Sequence, residues 1–308
     1  MSTPRRCQVQ GPYDLVLSLS RSDRFHPLSH QKENEFRTAV RADGLPAVMD
    51  VCQAGSRPAV LKVTGYPEEV VGSLRPLAEW MLFAELDLRP FYEMVETHDV
   101  LGNVVRRLNG LKPTRPPSLF EMAVTAVTEQ QISMAAAYQI RSRVVEAFGD
   151  PVEVSSEDEE TDLLHVFPAP DTIASAPFDE LKACGLSRRK AEYIRGLARA
   201  IVEEDVDLEK LRDLPNDQVR SVITDLRGFG PWSADYILVR GLGRLDCVPV
   251  DDLGVRTVVG HYLGDGSRMA PEAVQQALAP FEPYRGLLAF YLLAHWRVEP
   301  DANGEDET

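Results

Sequence analysis

Two helical patterns meet at four residues, Gly228, Phe229, Gly230 and Pro231, and this junction constrains the chain more than any other part of it. Helical spacing runs over residues 216–224, and a second helix is predicted to open at Pro231. Proline suits a first helical turn, where an N–H would have had no partner. Glycine on either side of Phe229 permits a tight reversal and lets a ligand approach the backbone closely. The N–H groups at the start of the second helix then form an anion site, apt for one phosphate of DNA. Recognition through backbone needs no lysine.

That point matters because the chain carries 48 acidic against 33 basic residues, a formal charge of −15. Phosphate binding usually shows as a basic patch. Much of the acid, however, lies in residues 153–162 and after Arg297. The base is almost all arginine, whose planar fork suits phosphates and flat partners. An acidic, lysine-poor surface also fits a cell with high internal salt. Apolar runs such as Leu287 to Ala294 are too short to cross a bilayer. No apolar stretch of the kind found in a secretory leader follows Arg5 and Arg6. Cys7, Cys52, Cys184 and Cys247 are dispersed without CxxC spacing, which argues against disulfides, zinc and an iron–sulfur cluster. His26 and His30 share an i,i+4 spacing, but Pro27 between them argues against a helical metal site. The expectation is a soluble, cytoplasmic, reduced protein without a membrane partner.

The pattern predicts an α+β chain: a small N-terminal antiparallel sheet with helices, then an all-α region. Tyr13 to Leu19 alternates like a half-buried strand, and short strands follow at Ala47 to Cys52 and Ala59 to Thr64. Helices are expected from Pro67 to Phe83 and over Pro90 to Leu108. Lys112 to Pro117 reads as a stiff linker, giving an N-terminal unit over residues 1–113. A helical unit is expected over 114–297, with a mobile acidic loop at 150–162 and a disordered tail at 298–308. Ser118 with Glu121 forms a capping box. Further helices are expected from Ile132 to Gly149, Phe178 to Cys184 and Arg188 to Val202.

Past the hairpin stands VPVDD, ending at Asp252. Pro249 cannot lie inside a helix, so Asp251 and Asp252 are placed at the start of the next one. Either acid could simply cap that helix. Trp232 and Tyr236, four apart, share one helix face; such aromatics are more often core than pocket.

LRGFGPWSADYIL followed by VPVDD resembles the helix–hairpin–helix (HhH-GPD) superfamily of DNA base-excision glycosylases. Asp252 stands twenty residues after Trp232, where the alkylation-repair branch (3-methyladenine DNA glycosylase II) carries its catalytic aspartate. The similarity extends through FEMAVTAVTEQQISMAAA and EPYRGLLAFYLLAHW, over roughly residues 13–297. It implies that Asp252 is catalytic and that Asp251 takes the capping role. It also implies that Trp232, Tyr236 and Trp296 line a pocket whose rings attract a cationic alkylated purine. Gly228, Gly230 and Ser233 would then meet DNA. Gln131 falls where an apolar wedge fills the gap left by a flipped base, although a plain first-turn glutamine is an equal reading. Trp232 stands where strand-nicking relatives carry a lysine, so a monofunctional enzyme using water is implied, without an iron–sulfur cluster or required cofactor. A sodium or potassium ion on the backbone carbonyls of Thr224, Leu226 and Phe229 is a further implication. The implied partner is double-stranded DNA with alkylated bases, bound by a monomer in the cytoplasm at the nucleoid. Two other readings stay open: a non-catalytic helix–hairpin–helix DNA-binding protein and an 8-oxoguanine-type glycosylase.

Overall fold

The computed structural model describes residues 4–21, 30–32, 35–56, 59–155 and 161–297. His26, residues 156–160 and the tail 298–308 lie outside them. Strands β1 (Arg5–Gln8), β2 (His30–Lys32), β3 (Glu35–Ala42), β4 (Leu45–Ser56) and β5 (Ala59–Tyr66) form one antiparallel sheet in the order β1-β5-β4-β3-β2. β3 buries every second side chain, Phe36, Thr38, Val40 and Ala42, as a strand with one covered face must. Asp43 and Gly44 turn it into β4, both with positive φ, which is what a two-residue hairpin with the correct twist demands.

The predicted strand at Tyr13 to Leu19 is instead helix α1 (Leu15–Arg21). Asp14 Oδ1 accepts from Leu17 N at 2.8 Å and so caps the first turn. Leu15 and Ser18 then point inward on one helical face. An alternation this short satisfies i,i+4 spacing as well as period two, and the cap decides between them.

Helix α2 (Val71–Met81) covers one face of the sheet, with Leu74, Ala78 and Met81 packed among Phe36, Val40, Leu61 and Val63. The opposite face is covered by a hairpin of β6 (Pro151–Ser155) and β7 (Thr161–His165), where Val154 and Leu164 meet Val48. Tyr66 donates to the Glu153 carbonyl, and Arg41 pairs with Asp150. The acidic stretch 150–162 is therefore not all loop. Its apolar members find a surface to cover, and strands flank residues 156–160.

The remaining helices are α3 (Arg89–Val95), α4 (Asp99–Arg107), α5 (Leu119–Glu129), α6 (Met134–Phe148), α7 (Pro170–Ser175), α8 (Phe178–Ala183) and α9 (Arg188–Val202). They continue with α10 (Asn216–Asp225), α11 (Pro231–Tyr236), α12 (Leu253–Leu263), α13 (Pro271–Leu278) and α14 (Arg285–Trp296). They build two cores. One gathers α5 to α11; the other joins α3 and α4 to α12, α13 and α14. The second core therefore draws on both sides of Lys112–Pro117, and that segment runs through the interior. Lys112 is fully buried, and its ammonium donates to the carbonyls of Gln10 (2.9 Å), Phe83 (3.2 Å) and Ala84 (3.4 Å). Arg115 lies between the rings of Trp80 and Phe83, 3.8 Å from each centroid, with Arg212 above Trp80 at 3.7 Å. No helix among the described residues is long and apolar enough to cross a membrane.

Two predictions concern stability. Lys112→Met should strand carbonyls in the interior and cost about 3 kcal/mol in urea unfolding. Glu121, in the first turn of α5, caps with its N–H on Ser118 Oγ (3.1 Å), while its carboxyl is buried. Burial pushes that carboxyl from 4.5 up to about 8, against the opposing pull of Arg141. A raised folded-state value contributes stability that is full below pH 4.5 and is lost as pH rises through about 8. Glu121→Gln should therefore gain on wild type between pH 5 and pH 8.5, reaching roughly 1–3 kcal/mol at the upper end, read by urea unfolding at both.

Candidate active site

Gly228 and Gly230 turn out to serve different ends. Gly228 has φ +97°, and a Cβ there would fall 2.3 Å from the ring of Tyr193, so glycine is required twice over. Gly230 has extended backbone (φ −109°) that any residue adopts, and a Cβ on it would meet nothing in the protein. Within this chain nothing demands glycine at 230; the open space lies on the outer side of the turn. Phe229 N bonds to Leu226 O (3.1 Å), Ala234 N bonds to Gly230 O (3.0 Å), and the Phe229 ring is buried in the core of α5 to α11. Pro231 opens α11 as expected, and the helix runs on through a π-turn at Ile237–Gly241.

Asp252 and Trp232 come together. The indole Nε1 of Trp232 donates to Asp252 Oδ2 at 3.1 Å, and Val255 N donates to Asp252 Oδ1 at 2.9 Å. Asp252 is thus itself the N-cap of α12, which corrects the assignment of that role to Asp251. The reason is the turn closed by Asp252 N on Pro249 O (2.9 Å): it makes Asp252 the last residue before the helical dihedrals begin, and leaves Asp251 exposed. Two donors, one from each helical core, aim a half-buried carboxylate. A carboxylate held in this way can stabilise positive charge that develops on a nearby atom.

Tyr236 stacks on Trp232, with centroids 5.0 Å apart and planes 19° from parallel. Its hydroxyl donates to Glu129 Oε2 (2.7 Å), and Arg141 donates to Glu129 Oε1 (2.8 Å). Sequence reasoning missed both charged residues, because no local pattern shows that they meet in the interior between α5 and α6. It also missed Gln130, whose amide donates to Gly228 O (3.0 Å) and Ser233 Oγ (3.2 Å), tying the α5–α6 loop to the hairpin. Lys190 steadies the same loop through Thr128 O (2.9 Å) and Gln130 O (2.7 Å). The adjacent glutamines in the sequence were the available signal.

Three expected residues stand apart from this cluster. The Ser233 side chain is buried and turned to Gln130, so its hydroxyl does not face outward. Gln131 sits at φ +57° and is exposed beside Ile132 and Met134, themselves 39% and 40% exposed. Trp296 packs edge-on against His261 (4.7 Å), nine residues along α12 from Asp252 and so about 13 Å away down the helix axis. The carbonyls expected to hold a cation are those of Thr224, Leu226 and Phe229, and that of Leu226 already accepts from Phe229 N. A cavity of about 560 Å³ lies elsewhere, lined by residues such as Arg41, Glu121, Phe167 and Leu208, with no part in the Asp252 cluster.

The corrected cap gives a direct expectation. Asp252→Ala should lose about 1 kcal/mol of stability, Asp252→Asn should lose little because asparagine caps as well, and Asp251→Ala should stay within about 0.5 kcal/mol of wild type. Thermal unfolding of the three variants checks it.

Comparison with known proteins places the chain in a family. Residues 124–283 match the family described as HhH-GPD superfamily base excision DNA repair protein. A DNA-3-methyladenine glycosylase of Bacillus subtilis is 31% identical over 231 residues, 75% of this chain and 72% of that one. The structure of a 3-methyladenine DNA-glycosylase from Archaeoglobus fulgidus superposes with TM-score 0.83 at 24% identity, covering 95% of this chain and 98% of that one. An 8-oxoguanine glycosylase/lyase from Clostridium acetobutylicum in complex with double-stranded DNA superposes at 0.72 with 15% identity, covering 96% and 98%. The overall fold is thus shared with an alkylation-type and an oxidation-type enzyme. With more than half of its length matched, the chain belongs to the HhH-GPD superfamily of base excision DNA repair proteins.

Proposed function

We propose that this protein is a monofunctional DNA glycosylase that hydrolyses the N-glycosidic bond of alkylated purines, of the 3-methyladenine and 7-methylguanine type, in duplex DNA. The observation that carries the reading is the Trp232–Asp252 pair. Base loss builds positive charge on the sugar, and the oriented Asp252 carboxylate would offset it or direct a water to C1′. The half-buried Trp232 ring offers a stacking face, and an alkylated purine with positive charge is drawn to an electron-rich indole. The B. subtilis relative bears a 3-methyladenine glycosylase name, which supports the same substrate class.

An indole cannot form a Schiff base, and Lys190 spends its ammonium on two carbonyls, so water rather than a protein amine is the nucleophile in this reading. The hairpin around Gly228 and Gly230 would take a DNA phosphate, with Gln131 and Ile132 on the neighbouring loop positioned to fill space left by the flipped base. Carbonyl oxygens of Thr224, Leu226 and Phe229 are hard donors that suit a sodium or potassium ion, which when bound would strengthen the hold on that phosphate. The protein would act as a monomer in the cytoplasm.

The test is base release from methylated duplex DNA. Wild type should release 3-methyladenine or 7-methylguanine and leave the abasic strand intact, and borohydride should trap no covalent complex. Asp252→Asn should abolish release, a loss of several kcal/mol in transition-state stabilisation, while duplex binding stays nearly unchanged. Comparable release by the variant would remove Asp252 from the reaction, and a trapped adduct would show that a lysine serves as nucleophile.

A further inference from the structure

Behind the Trp232–Asp252 contact runs an unbroken series of side chains that ends in a buried ion pair. Asp252 Oδ2 accepts from Trp232 (3.1 Å), Trp232 stacks on Tyr236 (5.0 Å), Tyr236 donates to Glu129 (2.7 Å), and Glu129 pairs with Arg141 (2.8 Å). The side chains of Arg141 and Glu129 are only 1% and 5% exposed. Replacing a pair so fully removed from water by apolar residues of similar size is often neutral or stabilising, so stability alone gives it little reason to exist. What apolar residues could not do is fix the phenol. Tyr236 has its ring against Trp232, and its hydroxyl is held by Glu129 in the same orientation that makes the stack.

We infer that Glu129 and Arg141 are a positioning pair for base excision: they orient Tyr236 and, through its stack on Trp232, the indole that aims Asp252. The inference rests on the reading of Trp232 and Tyr236 as the wall of the base pocket. The pair has a second consequence at the same site. A phenol that donates to a carboxylate carries a more electron-rich ring, which strengthens the attraction of the aromatic wall for a cationic base. Arg141 supplies the counter-charge that lets the carboxylate stay in the interior without attracting a second cation.

Two variants separate positioning from folding. Tyr236→Phe keeps the ring and removes the hydroxyl. Glu129→Leu combined with Arg141→Met removes the pair without leaving a lone buried charge. Each is assayed by single-turnover release of 7-methylguanine, by duplex binding, and by the indole N–H resonance of Trp232, assigned with Trp232→Phe. The expected result is a rate lower by on the order of ten- to a hundredfold with duplex binding unchanged. The Trp232 resonance should shift, while those of Trp80 and Trp296 stay in place. An unmoved Trp232 resonance overturns the inference, and so does a wild-type rate in folded variants. If wild type itself releases no methylated base, the proposed function fails instead; the resonance then decides the positioning claim alone, a shift supporting it and no shift overturning it.

Discussion

The hydrogen bond from the Trp232 indole to Asp252 crosses the seam between the two helical cores, and the site depends on it. Trp232 packs at the edge of the core built by α5 to α11, whereas Asp252 begins α12, which belongs to the other core. A carboxylate on a loop between rigid bodies would ordinarily sample many directions. Here one oxygen is held by the helix it caps and the other by the opposite body. The geometry of the carboxylate therefore reports how the two cores are docked. The buried strap from Lys112 to Pro117 is tied to the segment after β1 and to the end of α2 through Lys112 and Arg115, and Tyr291 of α14 donates to Leu111 O at 2.6 Å just before it.

The acidic charge of the chain is reconciled with a DNA-repair fold by where recognition resides. A hairpin that offers backbone N–H groups asks nothing of side-chain charge. Of the arginines around it, Arg220 pairs with Asp235 at 2.8 Å and so ties α10 to α11, whereas Arg227 stays largely exposed beside Glu192 of α9.

Much of this was legible in the sequence, and the failures have physical causes. The Ser118 cap, the strands at β4 and β5 and the start of α11 at Pro231 follow from local chemistry that tertiary contacts do not override, whereas the reciprocal half of the capping box is not made, because the Glu121 carboxyl is drawn into the interior. The segment at Tyr13 to Leu19 was misread because four alternating residues fit two periods, and only the Asp14 cap distinguishes them. Lys112 to Pro117 looks like a linker by composition, yet its lysine and arginine find carbonyls and aromatic faces that no local pattern reveals. Asp252 and Trp232 were picked out by resemblance to the superfamily, since spacing alone left a helix cap and a core aromatic as open readings. Glu129 and Arg141 were not, since a buried ion pair is visible only once α5 and α6 are brought side by side. Trp296 was drawn into the site by resemblance, and its contact with His261 sets it along α12 instead.

The same tryptophan links three separate requirements of the chemistry. On the proposed function, its N–H orients the carboxylate, its ring supplies a flat electron-rich surface, and it stands where a strand-cleaving route would need an amine. A lysine at this position could still donate to Asp252, neutral or charged, but the stack on Tyr236 would vanish. On the proposed function, the aromatic wall, the aim of the carboxylate and the choice of water as nucleophile meet at one residue, with Tyr236, Glu129 and Arg141 packed in series behind it.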